Sequence, residues 1–143
     1  MKKIIKIILW VAVVALASSQ FFINGMKTNP PVMVEPQWDS PETRAMVERA
    51  CFDCHSNETV WPWYSNIPPV SWLVVRDTIN GRDELNFSEW IWADGEVTAE
   101  WFSDALLEGE MPMKIYLVNN PEARLTDAER QQLADSMKKI IEQ

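Results

Sequence analysis

Glycine is scarce in this 143-residue chain, with four residues in all. That is too few, and too scattered, for a loop that cradles phosphate. Histidine occurs once and cysteine twice. A multi-ligand zinc site and a disulfide-scaffold fold are excluded. Basic side chains are the minority, 13 Lys and Arg against 21 Asp and Glu, for a net charge of −8. Nucleic-acid phosphates need clustered Lys and Arg, so nucleic acid is not an expected partner. Against these shortages stands an excess: eight tryptophans. So many large flat side chains ask for something large to pack against.

The charge is unevenly placed. Residues 1–27 hold Lys2, Lys3, Lys6 and Lys27 and no acid. Removing those four lysines leaves nine bases against 21 acids, a net −12 for the rest of the chain. Between Lys6 and Lys27 the run Ile7 to Ile23 is uncharged. As a helix it reaches about 26 Å, against a hydrocarbon core of roughly 30 Å. Ile4 and Ile5, with Lys6 snorkelling, supply the difference. A secretory signal cut after Ala15-Leu16-Ala17 fits the same residues. The apolar run resumes at Phe21-Phe22-Ile23, however, which favours a retained anchor. With the lysines on the cytoplasmic side, residues 28–143 lie outside the cytoplasm.

Residues 28–39, with Asn29-Pro30-Pro31 and Pro36, read as an extended proline-rich linker. Residues 40–143 then read as one all-α domain of four or five short helices and long loops. Ser40-Pro41-Glu42 starts a helix, with Ser as N-cap, Pro in the first turn and an acid beside it. That helix is predicted to run through Ala45, Met46 and Ala50 to Cys51. Val70 to Asn80 is predicted helical, closed by Gly81. Another helix is predicted from Glu96 to Glu108, burying Trp101, Ala105 and Leu106 and ending at Gly109. The last begins at Thr126 with a capping box to Glu129 and an apolar face of Leu133, Met137, Ile140 and Ile141. No segment reads as a β-hairpin. Loops this long in a small helical domain usually wrap around something.

The two cysteines and the only histidine fall together, Cys51-Phe52-Asp53-Cys54-His55. C-x-x-C-H is the pattern of c-type haem attachment. Two cysteines three apart share one side of a helical turn, where both sulfurs can reach one haem edge, and the following His55 can ligate the iron. Rival readings are a thioredoxin-like dithiol, a structural disulfide and a zinc site. The first lacks its βαβ context and the last lacks ligands.

No second histidine exists to complete the iron, so a Met thioether is the expected sixth ligand. Met137 belongs to the core stripe of the last helix, Met46 to the helix leading into the motif, and Met33 to the linker. Met111, in Gly109-Glu110-Met111-Pro112, stands on a loop just past a helix and is the leading candidate. Met113 and an open or water-bound iron are the alternatives. Trp61, Trp63, Tyr64 and Trp72 follow the motif closely. They read either as plain core or as flanks of the porphyrin and donors to its propionates. Arg76 and Arg82 are the nearest bases for propionate pairing, with solvated surface the plainer reading. Trp90 and Trp92 carry no assignment.

The stretches ACFDCHSNETVWPWYSNIPPVSWLVVRD, LNFSEW, GEMP and NPEARLTDAE resemble the membrane-anchored haem-binding domain family of bacterial c-type cytochromes. The resemblance runs in order over about residues 28–140. It implies covalent haem through Cys51 and Cys54, His55 as axial ligand, and the family's Met-Pro at Met111-Pro112. One position departs: many relatives carry a His where this chain has Asn120. The expected function is one-electron transfer by a single haem c, held at the periplasmic face of a bacterial inner membrane. The acidic surface favours redox partners with a basic docking surface. A haem sensor with an open distal site and a thiol-disulfide oxidoreductase are the alternatives. The lone His is committed to the iron, which leaves no general base for hydrolytic catalysis.

Overall fold

A computed structural model describes residues 2–90 and 97–142. Trp92 and the expected helix start at Glu96 lie outside the described residues. Among the described residues six α-helices follow one another: α1 Lys2–Met26, α2 Pro41–His55, α3 Val70–Glu84, α4 Ala99–Leu107, α5 Tyr116–Asn119 and α6 Asp127–Ile141. The 3-10 turns Trp63–Asn66 and Pro121–Ala123 interrupt the loops. Among the described residues the only β-pairing is one isolated bridge, Val34 to Glu89.

α1 is a 25-residue helix of mean hydropathy 2.0 with no buried residue. A helix apolar all round that buries none of its residues has the length and composition to cross a bilayer. Residues 28–36 carry no helix, as the prolines predict, yet they do not hang free. Met33 and Val34 donate their backbone N–H groups to Ser88 O, at 2.9 and 3.1 Å. Asn29 and Pro31 are tied to the loop after α2 by the side chains of Asn29 and Asn57.

α2 starts as its sequence dictates: the Ser40 hydroxyl accepts the Thr43 N–H at 3.0 Å. Its buried face, Thr43, Met46, Val47 and Ala50, keeps the 3-4 spacing of a helix packed on one side. Ala45 is exposed instead. The helix does not stop at Cys51 but continues through His55, so the C-x-x-C-H motif forms its last turn. α3 likewise outruns its expected end. Gly81 lies inside it, not at its cap, because α2 crosses there and tolerates no side chain.

α4 starts on Thr98, whose hydroxyl accepts the Trp101 N–H. That register turns Phe102 and Leu106 inward and leaves Trp101 43% exposed, so Phe102 takes the core place expected of Trp101. Gly109 ends the segment with φ +74°, a conformation that favours glycine. α6 opens with the Thr126–Glu129 capping box and buries Leu133, Met137 and Ile140, while Ile141 packs at the edge.

The core joins α2, α4 and α6 with Leu85 and Phe87. Phe87 is fully buried and forms the hub of an aromatic cluster. Phe52 and Trp90 stack on it at 5.9 Å, and Trp38 leans against it at 5.8 Å.

Candidate functional site

Helical spacing puts Cys51, Cys54 and His55 on neighbouring positions of the last turn of α2. All three line one cleft. A cavity of about 180 Å³ is bordered by Cys51, Cys54, His55, Met111, Met113 and Tyr116. A second of about 330 Å³ adjoins it, walled by Phe87, Trp101, Phe102 and Leu106. Ala50, Cys51, His55, Glu84, Met111 and Pro112 belong to both. The second alone reaches the low end of the size at which cofactor sites are found, roughly 300–1,000 Å³.

The motif wall is fixed by contact between backbones. A Cβ added at Gly81 would stand 2.6 Å from the Cys54 carbonyl oxygen, so only glycine lets α3 approach α2 this closely. The approach brings two α3 carbonyls to the histidine. His55 Nδ1 lies 2.8 Å from Gly81 O and 3.1 Å from Leu85 O. Carbonyl oxygens only accept, so Nδ1 carries the proton and Nε2 keeps its lone pair. Burial pushes the His55 pKa down, and the two carbonyl contacts oppose it only in part. The ring is therefore neutral at pH 7, with the tautomer fixed as it is in metal-bound histidines.

Both thiols are free. Burial raises Cys51 to about 12, with Cys54 adding to the effect. Burial also raises Cys54 to about 11, helped by Asp53 and Asp77. Such thiols are protonated at neutral pH, unlike the activated thiolate of a dithiol oxidoreductase. Among the described residues no three His, Cys, Asp or Glu side chains converge to hold a lone metal ion.

The opposite wall carries Met111. Its backbone N–H donates to Ala105 O at 2.9 Å. Arg130 of α6 donates from Nη1 to both Leu106 O, at 2.7 Å, and Met111 O, at 2.6 Å. Tyr116 closes one end of the cleft. Its hydroxyl donates to Asp53 Oδ2 at 2.8 Å, and burial, then that carboxylate, pushes its pKa up.

The structure thus brings Cys51, Cys54, His55 and Met111 to one cleft, with Met113 at its margin. It does not bring Trp61, Trp63, Tyr64 or Trp72 there; none of the four lines either cavity. Trp61 donates to Asn29 Oδ1 and Trp63 packs edge-on against Tyr64. The expected propionate bases are elsewhere too. Arg76 pairs with its neighbour Asp77, and Arg82 is not solvated surface: it binds Ser56 O, Thr28 O, Asn29 Oδ1 and Thr59 Oγ1. Asn120 donates to Tyr116 O outside the cleft.

Sequence reasoning missed Gly81, Tyr116, Arg130 and the apolar pair Phe87 and Phe102. Only Gly81 left a signal: in a chain with so little glycine, one placed mid-helix calls for a packing reason.

The cleft suits a haem by its donor set. Two thiols, one neutral imidazole with a free Nε2 and one thioether share walls that are otherwise largely apolar. A family model described as "Haem-binding domain" matches residues 14–139. The searches of the curated proteins and of the solved structures found no match.

Proposed function

The chain therefore belongs to the haem-binding domain family, and we propose that it is a membrane-tethered monohaem c-type cytochrome that passes single electrons outside the cytoplasm. The observation that carries this reading is the meeting of Cys51, Cys54, His55 and Met111 on one cleft. Cys51 and Cys54 would hold the haem covalently as thioethers, and His55 Nε2 and Met111 would be the side chains that ligate its iron. When bound, the haem supplies a one-electron ferric–ferrous couple.

The chain's own residues set the conditions for it. The Gly81 and Leu85 carbonyls hold the imidazole in its ligating tautomer and strengthen it as a donor. Phe87, Phe102 and Leu106 exclude water from the interior, while Arg130 holds the Met111 loop in place. The cleft's charged lining is all acidic: Asp53, Asp77, Glu84, Asp104, Glu108 and Glu110. That rim favours redox partners with a basic face and an encounter that weakens with salt.

In this reading residues 1–27 anchor the chain in a bacterial inner membrane, 28–39 lead out of it, and 40–143 hold the haem in the periplasm. The lysines at positions 2, 3 and 6 support that orientation.

The test is expression of the full chain with a haem c maturation system. One haem should remain after denaturation, by mass and by pyridine haemochrome spectrum, and be lost in Cys51→Ala/Cys54→Ala. Absorption at the methionine–iron charge-transfer band should disappear in Met111→Ala. A haem-free mass with two titratable thiols would leave the dithiol reading. Carbon monoxide binding to the reduced protein at neutral pH, unchanged by Met111→Ala, would leave the open-site sensor.

A further inference from the structure

The segment that the cleft does not use is the aromatic one after the motif. From Thr59 to Val75 no residue is charged, in a chain whose body is strongly acidic. Several of its apolar side chains stay open to solvent. Trp63 is 74% exposed and Leu73 52%, with Ile67, Val70 and Trp72 also exposed. A cluster of this kind on a small domain marks a surface that something covers.

Three contacts place the cluster beside α1. Ser71 Oγ donates to Gln20 Oε1 at 2.6 Å. Lys27 Nζ donates to Ser65 O and to Asn66 Oδ1. The helix that α1 packs on is α3. Gln20 precedes the end of α1 by six residues, so the first turn of α3 stands about 9 Å back along that helix. Phe21 and Phe22, at the same level of α1, are themselves 79% and 73% exposed. Val70, Trp72 and Leu73 all belong to that first turn of α3.

We propose that Trp63, Ile67, Val70, Trp72 and Leu73 form an interfacial seat by which the domain rests on the outer leaflet of the bilayer that α1 crosses. The inference depends on α1 being a membrane span. The chemistry matches a lipid headgroup boundary. Tryptophan and tyrosine rings are favoured there, aliphatic side chains reach the acyl region, and the lack of charge removes the cost of insertion. Lys27, bonded to Ser65 and Asn66 of this segment, can reach lipid phosphate at the rim. A protein partner could use the same apolar chemistry. The level of the patch on α1 favours lipid, because a partner would have to enter between the domain and the headgroups.

The experiment uses the full-length haem-loaded chain in phosphatidylcholine nanodiscs containing a small fraction of diazirine-bearing phosphatidylcholine. After illumination, lipid adducts are mapped by peptide mass spectrometry. Adducts are expected on α1 and on the peptide spanning residues 60–73, and not on Ile115 and Val118, which are as exposed but lie at the start of α5 and within it. The triple variant Trp63→Ser, Trp72→Ser, Leu73→Ser should lose the 60–73 adducts and keep those on α1. Labelled α1 with an unlabelled 60–73 peptide overturns the seat and leaves the anchor standing. An unlabelled α1 overturns the anchor, and the seat with it.

Discussion

The two walls of the cleft are built by different means. The α2–α3 wall, which carries the C-x-x-C-H turn, is set by backbone against backbone. Gly81 admits the approach, two carbonyls fix His55, and the fully buried Phe87 stands behind them, its N–H donated to His55 O at 2.8 Å. In the α4–α5 wall, the loop that carries Met111 is held by hydrogen bonds from one guanidinium and by one backbone bond. Groups that must meet a cofactor in one fixed geometry are placed by contacts that few residues allow. The Met111 loop is placed instead by a side chain, whose strength can be altered without rebuilding the fold.

Substitutions can break or sharpen that contrast. The largest effect is expected from Phe87→Ala, which removes the hub behind the first wall. Emptying a fully buried aromatic site costs about 3–5 kcal/mol. Urea unfolding of the haem-loaded protein should show it; a loss below about 1 kcal/mol would mean the wall does not stand on this cluster. Next comes Gly81→Ala, whose new Cβ meets backbone that cannot turn aside. Overpacking of this kind costs about 3 kcal/mol at its upper end. The melting temperature should fall by roughly 12 °C or more in a domain of this size. An unchanged melting temperature would show that α2 and α3 separate freely.

Arg130→Gln probes the second wall. Losing charge-assisted bonds to two carbonyls costs about 2 kcal/mol. The distinguishing readout is spectroscopic: the methionine–iron charge-transfer band should weaken while covalently held haem is retained. Equal loss of both would place the two walls under one control. The smallest effect is expected from Glu35→Gln, outside both walls. Its carboxyl bonds Arg44 at 2.9 Å, and that bond holds its pKa below the ordinary 4.5 despite the opposing effect of burial. A depressed carboxylate stabilises the fold above its unfolded pKa, and the contribution is lost as pH falls through the folded value. The variant should therefore lose about 1 kcal/mol at pH 7 and nothing in strong acid, with unchanged spectra. A penalty independent of pH would assign the effect to packing.

Much of this was legible beforehand. Caps at Ser40 and Thr126, the stop at Gly109 and the 3-4 spacing of α6 are local signals, and the structure follows them. The juxtaposition of Cys51, Cys54 and His55 needed only helical geometry. What was not legible depends on long-range packing. Whether Gly81 caps a helix or admits a neighbour depends on where α2 crosses. That Arg130 reaches Met111 O depends on the α4–α6 contact. The tryptophan excess suggested something large for rings to pack against, with plain core as the alternative for those after the motif. Instead Trp38 and Trp90 serve the Phe87 cluster, and Trp63 and Trp72 face outward near α1. Composition counts rings but cannot say which surface each one meets.

The strand-like passage between α1 and α2 has a mechanical meaning. Arg82 grips Thr28 O, Asn57 grips Pro31 O, and Met33 and Val34 are zipped to Ser88. With that stretch of chain pinned, little slack remains to pay out as a leash. On the proposed function, a carrier mounted this way would have almost no swing radius. It would trade electrons as a fixed post that mobile partners visit, not as an arm that sweeps between stations.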